Sequence, residues 1–358
     1  MPEWLNGAVS KTVVRLCRTE GSNPSPSVLD SEDRTPTGDF VSTGRLPEPE
    51  EVERWLGEAR ERFARVADGR CSDVYPALAE MPPELFGISV VSAAGRVHRA
   101  GEHEHPFTIM SVSKPFVFAL VCSQLGSSRA HDLIGANPTG LPFNSKEAVE
   151  RGKGITNPMV NPGAIVATSL VTGDRWPAIH AALSAFAGRK LTLDEDVLAC
   201  ALESNHRNRE LAGALAAYDR LGCDPDEAVE LYTRQCALSV TATDLAVMGA
   251  TLADGGVNPI TGEQVVGADV CHAVLAVMVT AGMYETSGDW LFRVGLPAKS
   301  GIGGGIVTVS PGKGGMGTFS PPLDAAGNSV RGMLATAYLS AKLGLDLLVS
   351  APAVSSRP

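Results

Sequence analysis

The stretch Phe107-Thr-Ile-Met-Ser-Val-Ser-Lys-Pro-Phe-Val-Phe-Ala-Leu120 predicts a short apolar approach that turns into a helix. Ser111 and Lys114 are three positions apart, so they lie one turn apart on the same helix face. Pro115 lacks a backbone N–H and is tolerated only in the first turn, which places the helix start at or just before Ser111. The stretch therefore predicts a helix start that carries a paired serine and lysine.

Ser111 and Lys114 are residue types that can act as a nucleophile and its base. A serine hydroxyl is a weak nucleophile near pH 7 unless a base lies within hydrogen-bond reach. Lys114 can act as that base only if burial or another cation lowers its pKa towards neutrality, and the apolar residues that follow it would supply the burial. The helix dipole also favours negative charge at Ser111. A Ser-x-x-Lys spacing arises by chance in many proteins, so its position at the junction of strand and helix is what favours a catalytic role.

Composition bounds the class of protein. The chain has 358 residues, of which 44% are hydrophobic and 20% charged, as in globular enzymes with one large domain or two. The net charge of -10 argues against nucleic acid and anionic membranes as partners, because both recruit basic patches. No stretch approaches the roughly 20 apolar residues that span a bilayer. We therefore expect a small-molecule substrate and no membrane partner.

The cysteines and histidines give no pattern typical of a metal site. Seven dispersed cysteines without a Cys-x-x-Cys pair favour reduced thiols over a disulfide framework or a zinc site. His103 and His105 alternate across an extended segment and would point to opposite faces. With no signal-peptide pattern at the N-terminus, these features predict a cytoplasmic protein without a metal site.

The chain divides into four predicted regions. Residues 1–47 lack sustained periodicity and predict a disordered extension, and residues 351–358 a tail. Residues 48–125 and 285–350 carry strand signals flanked by helical ones and predict an α/β sheet domain of the α+β type. Residues 126–284 have helical periodicity and predict an all-helical inserted domain.

The sheet domain is predicted to contain five strands between two helices. The predicted strands cover residues 87–92, 96–100, 290–294, 305–310 and 314–319, and the helices begin near 50 and 329. Sequential hairpins favour an antiparallel sheet, because parallel pairs would need crossovers. The terminal helices would cover one face of this sheet. The cleft between the two domains is the expected site, with Ser111 at its floor.

Several further stretches occur in the order typical of one known family. They are Asn157-Pro-Met-Val-Asn-Pro-Gly-Ala-Ile165, Arg207-Asn208, Leu231-Tyr-Thr-Arg-Gln-Cys236, Asp244-Leu-Ala246, Asn258-Pro-Ile-Thr-Gly-Glu263, Gly282-Met-Tyr284, Gly295-Leu-Pro-Ala-Lys-Ser-Gly301 and Ser320-Pro-Pro-Leu-Asp324 with Gly327-Asn-Ser329. Over roughly residues 50–345 the chain resembles the serine-dependent glutaminases. The resemblance implies the fold of serine β-lactamases and penicillin-binding proteins.

The resemblance also implies a reaction, the hydrolysis of L-glutamine to L-glutamate and ammonia. Ser111 would attack the side-chain amide and form a glutamyl ester, with Lys114 and Tyr284 handling protons. The backbone amides of Ser111 and Ile302 would hold the oxyanion, with isoleucine in place of the usual valine. The family needs no metal or organic cofactor, and it usually forms dimers or tetramers, so we expect a homodimer or homotetramer.

The resemblance assigns substrate binding to six residues. They are Ser111, Asn161, Asn208, Tyr232, Tyr284 and Ile302. Amides and phenols supply both donors and acceptors, as the amino-acid head of glutamine requires. From spacing alone, Asn161 before Pro-Gly also fits a turn, and Asn208 a helix cap. Tyr232 and Tyr284 also fit aromatic residues at the edge of a core.

Three positions depart from the family pattern. Aligned from Arg207-Asn208 without gaps, the glutamate that binds the substrate amine falls on Ala201. A tyrosine falls on Val74, and the glutamine before the nucleophile is Met110. Glu203 would replace the missing carboxylate if the segment is shifted. These departures leave two alternatives open, another serine amidohydrolase or acyl-transfer enzyme of the same fold, and a non-catalytic glutamine-binding homologue. A pure binder has no need of Ser111, Lys114 and Tyr284 together, which argues against the binding homologue.

Overall fold

A computed structural model describes residues 44–350. The α-helices in this range are α1 Pro49–Phe63, α2 Pro76–Ala79, α3 Lys114–Leu125, α4 Ser127–Ile134, α5 Lys146–Arg151, α6 Asn161–Ser169, α7 Arg175–Ala187, α8 Glu195–Ser204, α9 His206–Ala216, α10 Pro225–Cys236, α11 Ala242–Ala253, α12 Ala268–Ala281, α13 Ser287–Val294 and α14 Val330–Lys342. The strands are β1 Gly87–Ser92, β2 Val97–Gly101, β3 Phe107–Thr108, β4 Thr192–Leu193, β5 Leu238–Val240, β6 Ala298–Ser300, β7 Gly305–Ser310 and β8 Gly314–Phe319.

Five strands form the main sheet, in the order β2-β1-β8-β7-β6. Every neighbouring pair is antiparallel, and Val90 of β1 faces His98 on one side and Met316 on the other. The predicted five-stranded antiparallel sheet is therefore confirmed. A second, three-stranded sheet β3-β5-β4 joins the approach to α3 with the helical region and was not predicted from the sequence.

The first and last helices cover one face of the main sheet. Val52, Leu56, Ala59 and Phe63 recur at helical spacing on α1 and are fully buried. They belong to the same apolar cluster as the inward side chains of α14, β1 and β7. Burying each large apolar side chain contributes about 1.5–3 kcal/mol. This arrangement confirms the predicted position of the terminal helices.

Helix α11 covers the opposite face. It packs against β1, β7 and β8, and Asp244 caps its start by accepting the Thr241 N–H while the Thr241 hydroxyl accepts the Asp244 N–H. A Cβ atom on Gly317 of β8 would lie 2.0 Å from the Ala242 carbonyl oxygen, so glycine permits the close approach of this helix. The helix falls within the range 126–284 predicted as the inserted domain. The boundaries of that domain stay a prediction.

One predicted strand is wrong. Residues 290–294 form the second half of α13, and the fifth strand of the sheet is instead β6. Trp290 and Val294 are buried one turn apart, which is the spacing of a helix face. Gly295 ends the helix with φ of 70°, in the left-handed conformation that glycine favours at this position.

The helices of the chain centre surround α3. This helix is apolar on nearly every side and contacts α4, α6, α7 and α12. No single helix within residues 44–350 is long and apolar enough to cross a bilayer, although the bent pair Ala268–Ala281 and Tyr284–Val294 reaches that length and composition together. Of the predicted extension, residues 44–47 are described, and Leu46 packs on the cluster beneath α1. Residues 1–43 and the predicted tail 351–358 lie outside the described range.

Candidate active site

A cavity of about 230 Å³ opens where α3 meets the helical region. Five of the seven site residues predicted from the sequence line it, namely Ser111, Asn161, Asn208, Tyr232 and Ile302. Lys114 lies behind this wall in contact with Asn161, and Tyr284 lies behind it in hydrogen-bond contact with Ser111. The structure thus brings all seven residues together.

Ser111 lies in a tight turn at the start of α3. Residues Met110–Ser113 form a 3-10 turn that runs directly into the α-helix, close to the predicted start. Met110 has φ of 47°, a conformation that a bulky residue rarely adopts. The Ser113 hydroxyl donates to the Met110 carbonyl at 2.8 Å and accepts from Gln235 at 3.2 Å, which stabilises this turn. The turn presents Ser111 to the cavity.

Lys114 is a buried amine with a lowered pKa. It is only 1% exposed, and burial lowers its pKa to about 7. Its Nζ donates to the Met159 carbonyl at 3.2 Å and to Asn161 Oδ1 at 2.8 Å. A neutral amine has two N–H groups and one lone pair, and these two acceptors use both N–H groups. In the neutral form, the lone pair of Lys114 is not used by either of these two contacts.

A chain of side-chain amides runs from Lys114 to α10. Asn161 Nδ2 donates to Asn208 Oδ1 at 3.0 Å, and Asn208 Nδ2 donates to Asn205 Oδ1 at 2.6 Å. Asn205 Nδ2 donates to the Thr233 hydroxyl at 2.6 Å, which donates its own proton to the Val229 carbonyl at 2.7 Å. Because Thr233 has spent its single proton, it can only accept from Asn205. This fixes the orientation of every amide in the chain.

Asn161 and Asn208 lie within helices, and both residues line the cavity. Asn161 is the first residue of α6, and its side chain reaches Lys114. Asn208 lies inside α9, whose start is flanked by Asn205 instead. Tyr232 of α10 donates its hydroxyl to Asn161 Oδ1 at 3.2 Å, and burial raises its pKa well above the usual range. All three side chains take part in one polar network at the cavity.

Tyr284 is held from the opposite side. It begins a 3-10 turn with φ of 55°, and its hydroxyl donates to the Ser300 carbonyl at 3.0 Å. Lys299 Nζ donates to the same carbonyl at 2.6 Å and lies 4.0 Å from the centre of the tyrosine ring. Burial raises the pKa of Tyr284, although its hydrogen bond with Ser111 lowers it in part. The phenol is therefore protonated at neutral pH.

Ile302 lies in the turn that joins β6 to β7. A Cβ atom on the neighbouring Gly301 would lie 3.3 Å from the Ser111 nitrogen and 3.1 Å from the Ile109 carbonyl oxygen. This turn therefore runs directly past the start of α3. The backbone amides of Ser111 and Ile302 belong to the two segments that meet here, as an oxyanion site requires.

The three departures from the family pattern all line the cavity. Ala201, Val74 and Met110 each contribute to its wall. Glu203 is exposed and does not line the cavity, so the structure gives no support to it as a replacement carboxylate. The cavity wall carries apolar groups at these three positions.

Three residues of the site were missed by sequence reasoning. Asn205 continues the amide chain, Lys299 contacts Tyr284, and Cys236 lies near Lys114 and Tyr232. Burial lowers the pKa of Lys299 well below its usual range, and the nearby Lys114 lowers it further. Burial raises the pKa of the Cys236 thiol, so it stays protonated. The only sequence signal for Lys299 was its place in Lys-Ser-Gly301 beside a predicted strand.

The histidines singled out in the sequence have other contacts. His103 Nδ1 lies 3.0 Å from Glu104 Oε1, and the ring of His105 stacks on Phe319 at 5.6 Å between centres. In the part of the chain that the structure describes, no group of three or more His, Cys, Asp or Glu side chains could hold a metal ion.

Comparison with known proteins identifies the family. The glutaminase family model matches residues 69–348. "Glutaminase 2" of Yersinia pestis is 60% identical over 319 residues, which are 88% of this chain and 94% of that protein. A solved structure described as a probable glutaminase, ybaS, has a TM-score of 0.84 at 40% identity and covers 85% of this chain and 100% of its own. The structure of Mglu in its glutamate form has a TM-score of 0.80 at 36% identity, with 84% and 71% covered. These matches confirm the resemblance found in the sequence, and the chain belongs to the glutaminase family.

Proposed function

We propose that this protein hydrolyses the side-chain amide of L-glutamine, forming L-glutamate and ammonia through an ester on Ser111. The observation that carries the proposal is the environment of Lys114, a buried amine whose pKa is lowered to about 7 and whose neutral form would donate both N–H groups within the protein. Its remaining lone pair makes it a base beside a serine at the start of a helix. The fold that we propose to support this chemistry is that of the serine β-lactamases.

In the first half of the reaction, Lys114 removes the proton of Ser111 as its oxygen attacks the amide carbon. The negative charge moves onto the amide oxygen, where the backbone N–H groups of Ser111 and Ile302 donate to it. Preorganised donors of this kind act without reorganisation because the chain already fixes their positions.

The tetrahedral intermediate then breaks its C–N bond. Tyr284 donates its proton to the leaving nitrogen, and the resulting phenolate takes up the proton that Lys114 removed from Ser111, so that ammonia leaves, the ester remains and Lys114 is neutral again. A water molecule next attacks the ester carbon and gives a proton to Lys114. The second intermediate releases Ser111, which takes that proton back, and L-glutamate leaves.

The amino-acid head of the substrate binds at Asn161, Asn208 and Tyr232. These three side chains line the cavity and form one hydrogen-bonded network. The relative Mglu was crystallised in its glutamate form, which supports glutamate as a ligand of this protein. We further propose, on the resemblance, a cytoplasmic homodimer or homotetramer with the sheet and helical domains predicted above.

Ammonia release from L-glutamine tests the proposal. The purified wild type should release ammonia, and Ser111→Ala should release none while keeping the same thermal unfolding midpoint. Ser310→Ala is a matched control. It removes a buried hydroxyl at the end of β7, away from the cavity, that donates to the Leu345 carbonyl. Persistent hydrolysis by purified Ser111→Ala would exclude Ser111 as the nucleophile. A folded wild type that releases no ammonia from L-glutamine would refute the proposed function.

A further inference from the structure

The head-group end of the cavity carries no negative side chain. Among residues 44–350, Arg207 is the one ionised side chain that lines this cavity, and no aspartate or glutamate does so. Glu210 pairs with Arg207 Nη1 at 2.5 Å, and both side chains are about half exposed. Glu285 is exposed and accepts the backbone N–H of Phe143. A substrate ammonium in this cavity would therefore have no carboxylate to pair with.

The side-chain oxygens of the amide chain are also largely used. Asn161 Oδ1 accepts from both Lys114 and Tyr232, which occupies its two lone pairs. Asn208 Oδ1 accepts from Asn161, and Asn205 Oδ1 accepts from Asn208, which leaves one lone pair on each. An ammonium needs three acceptors. The amide chain, whose orientation is fixed by Thr233, presents too few of them.

The wall beside these amides is apolar and open. Val197 and Ala201 of α8 are buried with their side chains against the cavity. Val74 also lines the cavity and is 54% exposed, so this wall reaches solvent. A small neutral group attached to the substrate nitrogen would find apolar contacts here, whereas these three side chains offer a charged nitrogen no hydrogen-bond acceptor.

We propose that this site accepts glutamine-type amides whose α-nitrogen is uncharged, with Nα-acyl-L-glutamine as the preferred class, and that Ala201 determines this preference. The inference rests on the proposed function for the position of the substrate head group. Hydrolysis of the side-chain amide proceeds as above, and the acyl group on the α-nitrogen is not transferred.

Binding to Ser111→Ala tests the inference separately from turnover. Titration calorimetry at pH 7.5 would compare L-glutamine with Nα-acetyl-L-glutamine. We expect the acetylated compound to bind more tightly than L-glutamine. Equal or weaker binding of the acetylated compound, or binding of neither, overturns the inference. Because this measurement needs no catalysis, failure of the proposed hydrolysis in the wild type is a distinct result.

A charge introduced at position 201 tests the residue itself. In the Ser111→Ala background, Ala201→Glu should shift the ratio of the two dissociation constants at least tenfold towards L-glutamine. Ala201→Gln adds a side chain of the same size without the charge, and it should change the ratio less than threefold. Equal shifts in the two variants would show that space rather than charge decides selectivity and would overturn the role given to Ala201.

Discussion

Substituting Asn161 by aspartate perturbs the group on which the proposed chemistry depends. Lys114 Nζ lies 2.8 Å from Asn161 Oδ1, so Asn161→Asp places a carboxylate oxygen directly against the amine. A carboxylate favours the protonated, charged form of the lysine, which cannot accept the proton of Ser111. We therefore expect the acid limb of kcat to move to higher pH in this variant.

The magnitude follows from the pKa of Lys114. Burial lowers it from 10.5 to about 7, which corresponds to roughly 5 kcal/mol in favour of the neutral amine. The base form is then present above about pH 7 and is lost as the pH falls through that value. An opposite charge within about 4–6 Å raises such a pKa by about 1–3 units. At pH 7 about half of the wild-type Lys114 is in the base form, so the variant should lose about 5-fold to 500-fold in kcat and recover at alkaline pH.

The assay is ammonia release at saturating L-glutamine between pH 5.5 and 10, which reports groups in the enzyme–substrate complex. Asn208→Asp is the matched control, because Asn208 contacts Asn161 and lies one hydrogen bond further from the amine. Its acid limb should move less than that of Asn161→Asp. An unchanged limb in Asn161→Asp, or an equal movement in both variants, would refute the assignment of Lys114 as the base.

Two further substitutions test the site and the fold. Tyr284→Phe removes the hydroxyl that donates to the Ser300 carbonyl. It should lower kcat by about 100-fold to 10,000-fold without changing the unfolding midpoint. A loss of kcat below about tenfold would contradict proton transfer by Tyr284. Gly317→Ala places a Cβ atom 2.0 Å from the Ala242 carbonyl oxygen and should cost about 1–3 kcal/mol in urea denaturation. Gly288→Ala is the control, because its added Cβ meets nothing within 4 Å, and it should not destabilise the protein. If Gly317→Ala were as stable as the wild type, the close packing of α11 on β8 would be contradicted.

The elements that the sequence predicts well are those whose pattern is local. Helix α1 carries four buried apolar residues at helical spacing, and α14 begins one residue after Ser329, whose hydroxyl accepts the Gly332 N–H. The start of α3 follows from Pro115 alone. In each case, neighbouring residues along the chain contain the information, so a single sequence is enough.

The features that the sequence does not predict depend on contacts between distant segments. Residues 290–294 are apolar enough for a strand. Only the packing of Trp290 and Val294 against the apolar cluster between the main sheet and the terminal helices selects the helix. Asn205 enters the site because Thr233, 28 positions away, accepts from it. Spacing along one chain carries no record of such pairings, which is why Asn205 and Lys299 were missed.

The site is built from arrangements that each oppose stability. Met110 and Tyr284 are two of the four non-glycine residues with positive φ between residues 44 and 350, and such conformations cost about 1–3 kcal/mol each. Lys114 and Lys299 are buried amines, which favour the unfolded chain wherever they would be protonated in water. Burial of the apolar clusters on both faces of the main sheet offsets these costs. These two clusters contain none of the strained or titrating groups of the site. The physical consequence is a framework that can hold a buried lysine of lowered pKa, a strained tyrosine and a fixed amide chain around one serine.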